Sequence, residues 1–493
     1  SRRRVSGFER FLYQLSSIRA VIIVFSSPAS SRPSRLCVKI SAAMKVDLII
    51  YNANQLATCA SEGKPKRLAH MRDVGLIAGG AAAVKDGIIA GIGTNAEIFD
   101  DFEAETLINA RGKVVCPAFV DPHTHIVFAG DRINEFEMKI KGADYLEIMA
   151  MGGGIANTAK KTRAAGLADL VKQSSLRLDK MLAHGTATAE IKTGYGLDTE
   201  TELKMLQAIE ELDRNHAVDL LATFLPAHAV PPEYKENPDR YVDLICEEML
   251  PLAFAWYQKS FYRNAFDDGW TFALPSTDKK EIKNSALRQK PLFVDVFCEK
   301  NAFNLEQSRR VLQTAKSLGF KLKAHVDEFT NLGGARLAIG LGATSVDHLD
   351  ATSDEEIRLL AESDTIGIVT PTVNFNFGAA HFADARKMID AGCAIALSTD
   401  YNPGSAPCPS QTMAMAIACR YQKLLPSEAL NAVTINAACG LGLGEKTGSL
   451  EVGKQADFLI LDTKDYREIA YEFGSNFVET VIKNGKVVLN GRI

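Results

Sequence analysis

Hydrophobic positions along this chain fall into two rhythms. Between residues 114 and 400, short apolar runs of strand character alternate with stretches of helical period. The runs are VVCPAFVD (114–121), ATAEIK (187–192), DLLATFLPAH (219–228), FVDVFCE (293–299), KLKAHVDE (321–328), TSVDHLD (344–350), TIGIVTPT (365–372) and AIALSTD (394–400). Helical patterns lie between most of them, among them LADLVKQSSLRLDKMLAHG, which stops on a glycine, and TETELKMLQAIEELDRN. Eight such repeats over roughly 290 residues predict an α/β fold, a TIM-like (β/α)8 barrel. A doubly wound open sheet is the alternative, but it has fewer strands as a rule and favours a Gly-rich phosphate loop after the first. MGGGIANT (151–158) is glycine-rich, yet it lacks the GxGxxG and GxxxxGK[ST] orders and precedes no clear helix start. It reads as a flexible active-site loop.

The flanks have the second rhythm. From Met44 to about Gly112, β-like runs such as VDLIIYNA and AAAVKDGIIAGIG alternate with Gly and Asn turns. GSLEVGKQADFLILD and FVETVIKNGKVVLNGRI repeat that style at the C-terminus. The expected organisation is a small β-sandwich built from 44–112 and 446–493, around a barrel at 113–445. Residues 252–290 break the barrel pattern. They hold both tryptophans, Trp256 and Trp270, and read as an atypical insertion. Residues 1–43 carry seven Arg and a single acid, Glu9. They are expected to be a disordered or artefactual extension, with a transit peptide as the alternative.

Composition narrows the class. Apolar residues make up 46% and charged residues 24%, a soluble globular balance. A net charge of −4 gives no electrostatic case for nucleic acid or a membrane surface. Nine scattered cysteines without a CxxC suggest reduced thiols and a cytoplasmic protein. No apolar run is long enough for a membrane helix.

The candidate chemistry begins at AFVDPHTHIVFAGDR, where His123 and His125 stand one residue apart. With nine histidines in 493 residues, an HxH arises by chance about one time in six, so the motif alone decides nothing. Position adds weight. Two residues apart on a strand, both rings share a face at the end of the first barrel strand, where barrels keep their active sites. Lys192, Thr193 and Tyr195 follow strand two; His228 ends strand three; His325 and Glu328 lie on strand five. Asp347, His348 and Asp350 end strand six, and Asp400, then Asn402, ends strand eight. Five of the nine histidines thus converge, and burying that many imidazoles unsatisfied would cost several kcal/mol. His70, His184, His216 and His381 have no such placement and read as surface or helix-end residues. His123, His125, His325 and Asp400 form an N3O set suited to zinc or iron. Such an ion lowers the pKa of a bound water, to about 7 in favourable zinc sites. Glu328 is placed for proton transfer, and His348 and His228 for orienting or polarising a substrate oxygen. Lys300 falls past strand four, near where two-metal barrel hydrolases keep a bridging modified lysine. Beyond the strand end it reads as a surface lysine, and one metal ion is expected.

PAFVDPHTHIVFAGDR, EIKTGYGLD, FLPAHAVP, KAHVDEF, DHLD and STDYNPGS resemble, in order, the imidazolonepropionase family of the amidohydrolase superfamily. The resemblance spans about 44–250 and 292–493. It implies hydrolysis of the cyclic amide C–N bond of 4-imidazolone-5-propanoate to N-formimidoyl-L-glutamate in histidine catabolism, with one zinc or iron ion and a homodimer. It places His123, His125, His325 and Asp400 as metal ligands. Arg132, Tyr195, His228, Glu328, Asn402, Gly404 and Ser405 fall at substrate-contacting positions. Glu328, His348 and Asp400 fall at catalytic ones. Arg132 offers a planar fork for the propanoate. The rivals are a nucleobase deaminase of the same superfamily and, more remotely, an inactive barrel scaffold. The inactive barrel would be expected to have lost metal ligands, and none is missing.

Overall fold

The computed structural model describes residues 21–22, 38–39, 43–143, 153–260, 262–264, 271–273, 281–283 and 289–491. The barrel strands are Phe119–Asp121, Thr186–Lys192, Asp219–Ala227, Phe293–Cys298, His325–Val326, Ser345–His348, Ile366–Val369 and Ile395–Leu397, each parallel to the next. Lys321–Leu322 extends the fifth strand at its start, pairing with the fourth. The eighth strand returns to the first. Thr124 and Tyr401 form a parallel bridge, and His125 N–H donates to Tyr401 O at 2.9 Å. The expected (β/α)8 barrel is the fold observed.

Helices form where the pattern places them. Leu167–Ala183 and Thr199–Asn215 turn their apolar stripes onto the barrel, the second capped by Asp198, whose side chain accepts from Thr201 N–H. Leu305–Leu318 begins with an Asn304–Gln307 capping box and ends on left-handed Gly319.

The chain ends weave one mixed sheet. In order across it run Lys486–Asn490, Val478–Lys483, Phe458–Leu461, Val114–Pro117, Met44–Ala57, Leu76–Lys85 and Ile88–Thr94, with Phe102–Asn109 also paired to Met44–Ala57. Alternation along Met44–Ala57 sends Leu48 and Ile50 into one apolar cluster and Ile49 into another.

Two local expectations are corrected, and the 252–290 insertion is described in part. The run 114–121 is two strands, not one. Val114–Pro117 belongs to the terminal sheet, pairing with Phe458–Leu461, and only Phe119–Asp121 enters the barrel. Pro117 has no N–H to continue a ladder, and the chain changes sheets there. The glycine-rich stretch 151–158 runs into a helix, Ile155–Ala164, entered through Gly154 at φ 77°. Its Met151 and Gly152 lie outside the described residues. The first part of 252–290 is regular, because Leu250–Lys259 is a helix that continues from a π turn at Ile245–Met249. Trp256 stacks on buried Tyr262, whose hydroxyl donates to Pro291 O. Trp270 and residues 1–42 of the extension, apart from two short paired strands, lie outside the described residues. Among the described residues no helix is long and apolar enough to cross a membrane, and the eight cysteines described are unbridged.

Candidate metal centre and active site

The strand ends converge as the sequence suggests. His123 and His125 leave the first barrel strand, and both are buried. Nε2 of His125 lies 3.3 Å from Nε2 of His123 and 3.3 Å from Nε2 of His325. Asp400 Oδ1 lies 3.5 Å from Nε2 of both His123 and His125. That oxygen is buried and accepts no hydrogen bond. Three ring nitrogens and an orphaned carboxylate oxygen aimed at one point are costly unless they share a cation. The donor set, nitrogen with one hard oxygen, is that of zinc or iron. Overlapping triads with ligand atoms within 4.8 Å of one another include His123–His125–Asp400, His125–His228–His325 and His123–His325–His348. The residues present therefore fit a metal ion.

In two of the three rings the other nitrogen is also engaged, while Nδ1 of His125 is buried without a partner. His123 Nδ1 lies 2.7 Å from Asp347 Oδ2, and His325 Nδ1 lies 2.9 Å from Asp295 Oδ2. Carboxylates there keep the proton on Nδ1 and leave Nε2 as the ligand atom. Beneath them, buried Lys192 bonds Glu190, Asp295 and Asp347. Burial and the positive charge of Lys192 hold the His123 imidazole well below its usual range.

His228 and His348 flank the cluster. His228 Nδ1 donates to Gly194 O at 3.0 Å, so its Nε2 carries the lone pair and accepts. Burial and neighbouring His325 push it down to about 3, so the ring is neutral. His348 Nδ1 lies 3.0 Å from the Thr370 hydroxyl, while its Nε2 is buried without a partner, 4.0 Å from Glu328 Oε2. A Thr370 hydroxyl that donates to Nδ1 would leave the proton on Nε2, facing the site. Burial, then the charges of Asp400, Asp350 and Glu299, raise the Glu328 carboxyl well above the usual range. His348 and Asp400 both sit at positive φ, 82° and 47°, the kind of backbone strain found at functional sites.

The expected substrate positions form one wall. Arg132 Nε donates to Thr158 Oγ1 at 2.8 Å, and its Nη2 is buried with no partner. Its guanidinium carbon stands 6.0 Å from the ring centroid of buried Tyr195. Asn402 organises its own loop. Its Nδ2 donates to Asp400 O and Ser405 Oγ, each at 2.7 Å, and its Oδ1 accepts from Gly404 N–H and Ser405 N–H, each at 2.8 Å. A cavity of about 500 Å³ opens beside Arg132, Tyr401, Asn402 and Gly404.

The remaining expectations sort plainly. Lys300 is exposed. His70 and His381 are exposed, and His184 and His216 cap helix C-termini. Sequence reasoning passed over Glu190, Asp295 and Lys323, all fully buried, the first two in mid-strand and Lys323 between the two pieces of the fifth strand. Their signal was a charge inside an otherwise apolar strand.

Comparison with known proteins shows the family and the fold. Residues 300–488 match the Amidohydrolase family. Imidazolonepropionase from Chloroflexus aggregans is 50% identical over 443 residues, covering 90% of this chain and 98% of that protein. The chain belongs to the imidazolonepropionase family. Its counterpart from Herpetosiphon aurantiacus is 47% identical, over 91% of this chain and 98% of that protein. Among solved structures, a zinc-bound adenosine deaminase from Xanthomonas campestris shares the fold with a TM-score of 0.63 at 19% identity, over 91% of this chain and 94% of that one. E. coli guanine deaminase matches with a TM-score of 0.64 at 15% identity, over 90% and 99%. At those identities the deaminases speak to the fold alone. As a family member the chain is a hydrolase of a small molecule, in a superfamily that uses metal.

Proposed function

We propose that the chain hydrolyses the ring C–N bond of 4-imidazolone-5-propanoate, giving N-formimidoyl-L-glutamate, with a single zinc or iron ion held by His123, His125, His325 and Asp400. The observation that carries this reading is the convergence of three Nε2 atoms and the orphaned Asp400 oxygen beside an arginine with a free, buried Nη2. A bound ion supplies Lewis acidity and a water acidified to about neutral pH.

The chain's own residues do the rest. Arg132, already fixed through Nε, offers Nη2 to the substrate carboxylate and sets which end of the molecule enters first. His348 Nε2–H faces the ring carbonyl and stabilises charge growing on its oxygen. His228 Nε2, a lone pair, accepts a ring N–H rather than polarising an oxygen. Glu328, its carboxyl raised by burial and neighbouring carboxylates, places the attacking water against the ring. Asp400 takes the proton that the attacking water releases and passes it to the departing nitrogen. Tyr195, Gly404 and Ser405 close the wall around the propanoate arm. The working enzyme is a cytosolic homodimer.

Turnover of imidazolone propanoate by the chain begun at Met44, with metal analysis of the same sample, tests the reading. Product with about one equivalent of metal is expected. Metal-loaded protein that ignores this substrate but deaminates a nucleobase would overturn it.

A further inference from the structure

The floor beneath the histidines is a compact lattice of charge. Lys192 Nζ, fully buried, lies 2.9 Å from Glu190 Oε1, 2.8 Å from Asp295 Oδ2 and 3.4 Å from Asp347 Oδ2. Lys323 Nζ, equally buried, donates to Pro122 O at 2.9 Å and lies 3.3 Å from Glu190 Oε1 and 3.9 Å from Asp347 Oδ2. Two of the three oxygens that meet Lys192 are also the atoms that meet the rings. Asp295 Oδ2 reaches His325 Nδ1, and Asp347 Oδ2 reaches His123 Nδ1.

Withdrawing this many charges from water costs several kcal/mol per ion, recovered only through close pairing. A barrel interior is ordinarily filled by branched apolar side chains, which would pack without that cost. The lattice therefore has work beyond packing, and its connectivity says what the work is. One ammonium joins the two carboxylates that orient two different rings, contributed by different strands.

Resting on the metal reading above, we infer that Lys192 is a positioning residue for the metal site. It holds the Asp295 and Asp347 carboxylates aimed at Nδ1 of His325 and His123, so that both rings present Nε2 to the ion together. Without it, those two carboxylates and Glu190 face one another in the buried barrel interior, with Lys323 beside Glu190 and Asp347 only. They would turn away or take up protons, and either change releases the rings.

The test uses the whole chain, Zn2+ as probe and chelator competition as readout, with substrate kinetics alongside. Lys192→Met keeps length and loses charge. Zinc affinity should fall about 10- to 100-fold, the usual scale for losing a partner behind a metal ligand. KM should change little. In an Asp295→Asn/Asp347→Asn background the same Lys192→Met change should leave affinity within about threefold, because Lys192 then has no carboxylates to aim. An equal loss in both backgrounds, or no loss in either, would overturn the assignment. Should the variants not fold, the wild type decides. Zinc-loaded and 15N-labelled, it should show protected Nδ1–H protons on His123 and His325, and protons on Nε2 instead would refute the inference. A wild type that binds no zinc at these residues would count against the metal reading itself, a separate outcome.

Discussion

Gly404 and Arg132 are packed so closely that a single methyl group on the glycine would overlap the guanidinium at Nη1. Gly404 is not at a positive φ, so its lack of a side chain serves this contact rather than the backbone. Gly404→Ala should displace the fork from the propanoate. We expect KM to rise about tenfold or more, the scale of one charge-assisted pair, with kcat less affected. An analogue lacking the carboxylate should not distinguish the variant from the parent. Equal kinetics on the full substrate would show that Arg132 does not read its acid.

Thr370 presents its hydroxyl to His348 Nδ1. Thr370→Val keeps the shape and removes the bond. With the ring free to exchange its proton between nitrogens, kcat should drop about five- to tenfold, in line with about 1 kcal/mol for one hydrogen bond, while KM holds. A rise in KM at unchanged kcat would place Thr370 in substrate binding instead.

Chelation should destabilise the fold as well as stop turnover. An ion at a thousandfold excess over its Kd adds about 4 kcal/mol. Calorimetry should record a lower Tm after chelation that zinc or iron restores. His325→Ala, with one ring of the cluster gone, should lose both the metal and the response.

Asp350 titrates far from its usual range. Burial pushes its carboxyl up to about 7, against the pull of the Ala383 N–H and Asn374 amide bonds it accepts. In the unfolded chain it ionises near 4. Between those values the folded chain binds the extra proton, so its contribution to stability declines as pH rises from about 4 to about 7 and is level above. Asp350→Asn keeps the acceptor oxygen and removes the charge. In metal-free protein the Tm advantage of the variant should widen between pH 5 and 7 and then stay constant. An advantage that does not change with pH would mean that Asp350 stays ionised throughout.

Much of this was legible because barrel strands write their function at their C-terminal ends. His228, His325, His348 and Asp400 each close or follow an apolar run, so strand order alone placed them in one mouth. Glu190, Asp295 and Lys323 were harder to see, because a charge in mid-strand looks like an interruption until the ring of strands brings them together. The tautomers were out of reach, since His228 depends on Gly194 O in another loop and His348 on Thr370 from the next strand. The 114–121 run misled because both sheets want the same apolar residues there, and only Pro117 marks where the chain changes partners.

The seam between the first and eighth barrel strands has a kinetic meaning. Ser398 Oγ donates to His123 O across 275 residues of sequence, and Thr399 N–H to Asp121 across 278. Contacts so remote are slow to form, because loop closure must be met before they repay it. His123 and His125 stand on one side of that seam and Asp400 on the other. An ion held between them would latch the ring once it has closed, and refolding yield should then depend on whether metal is present at that moment rather than added afterwards.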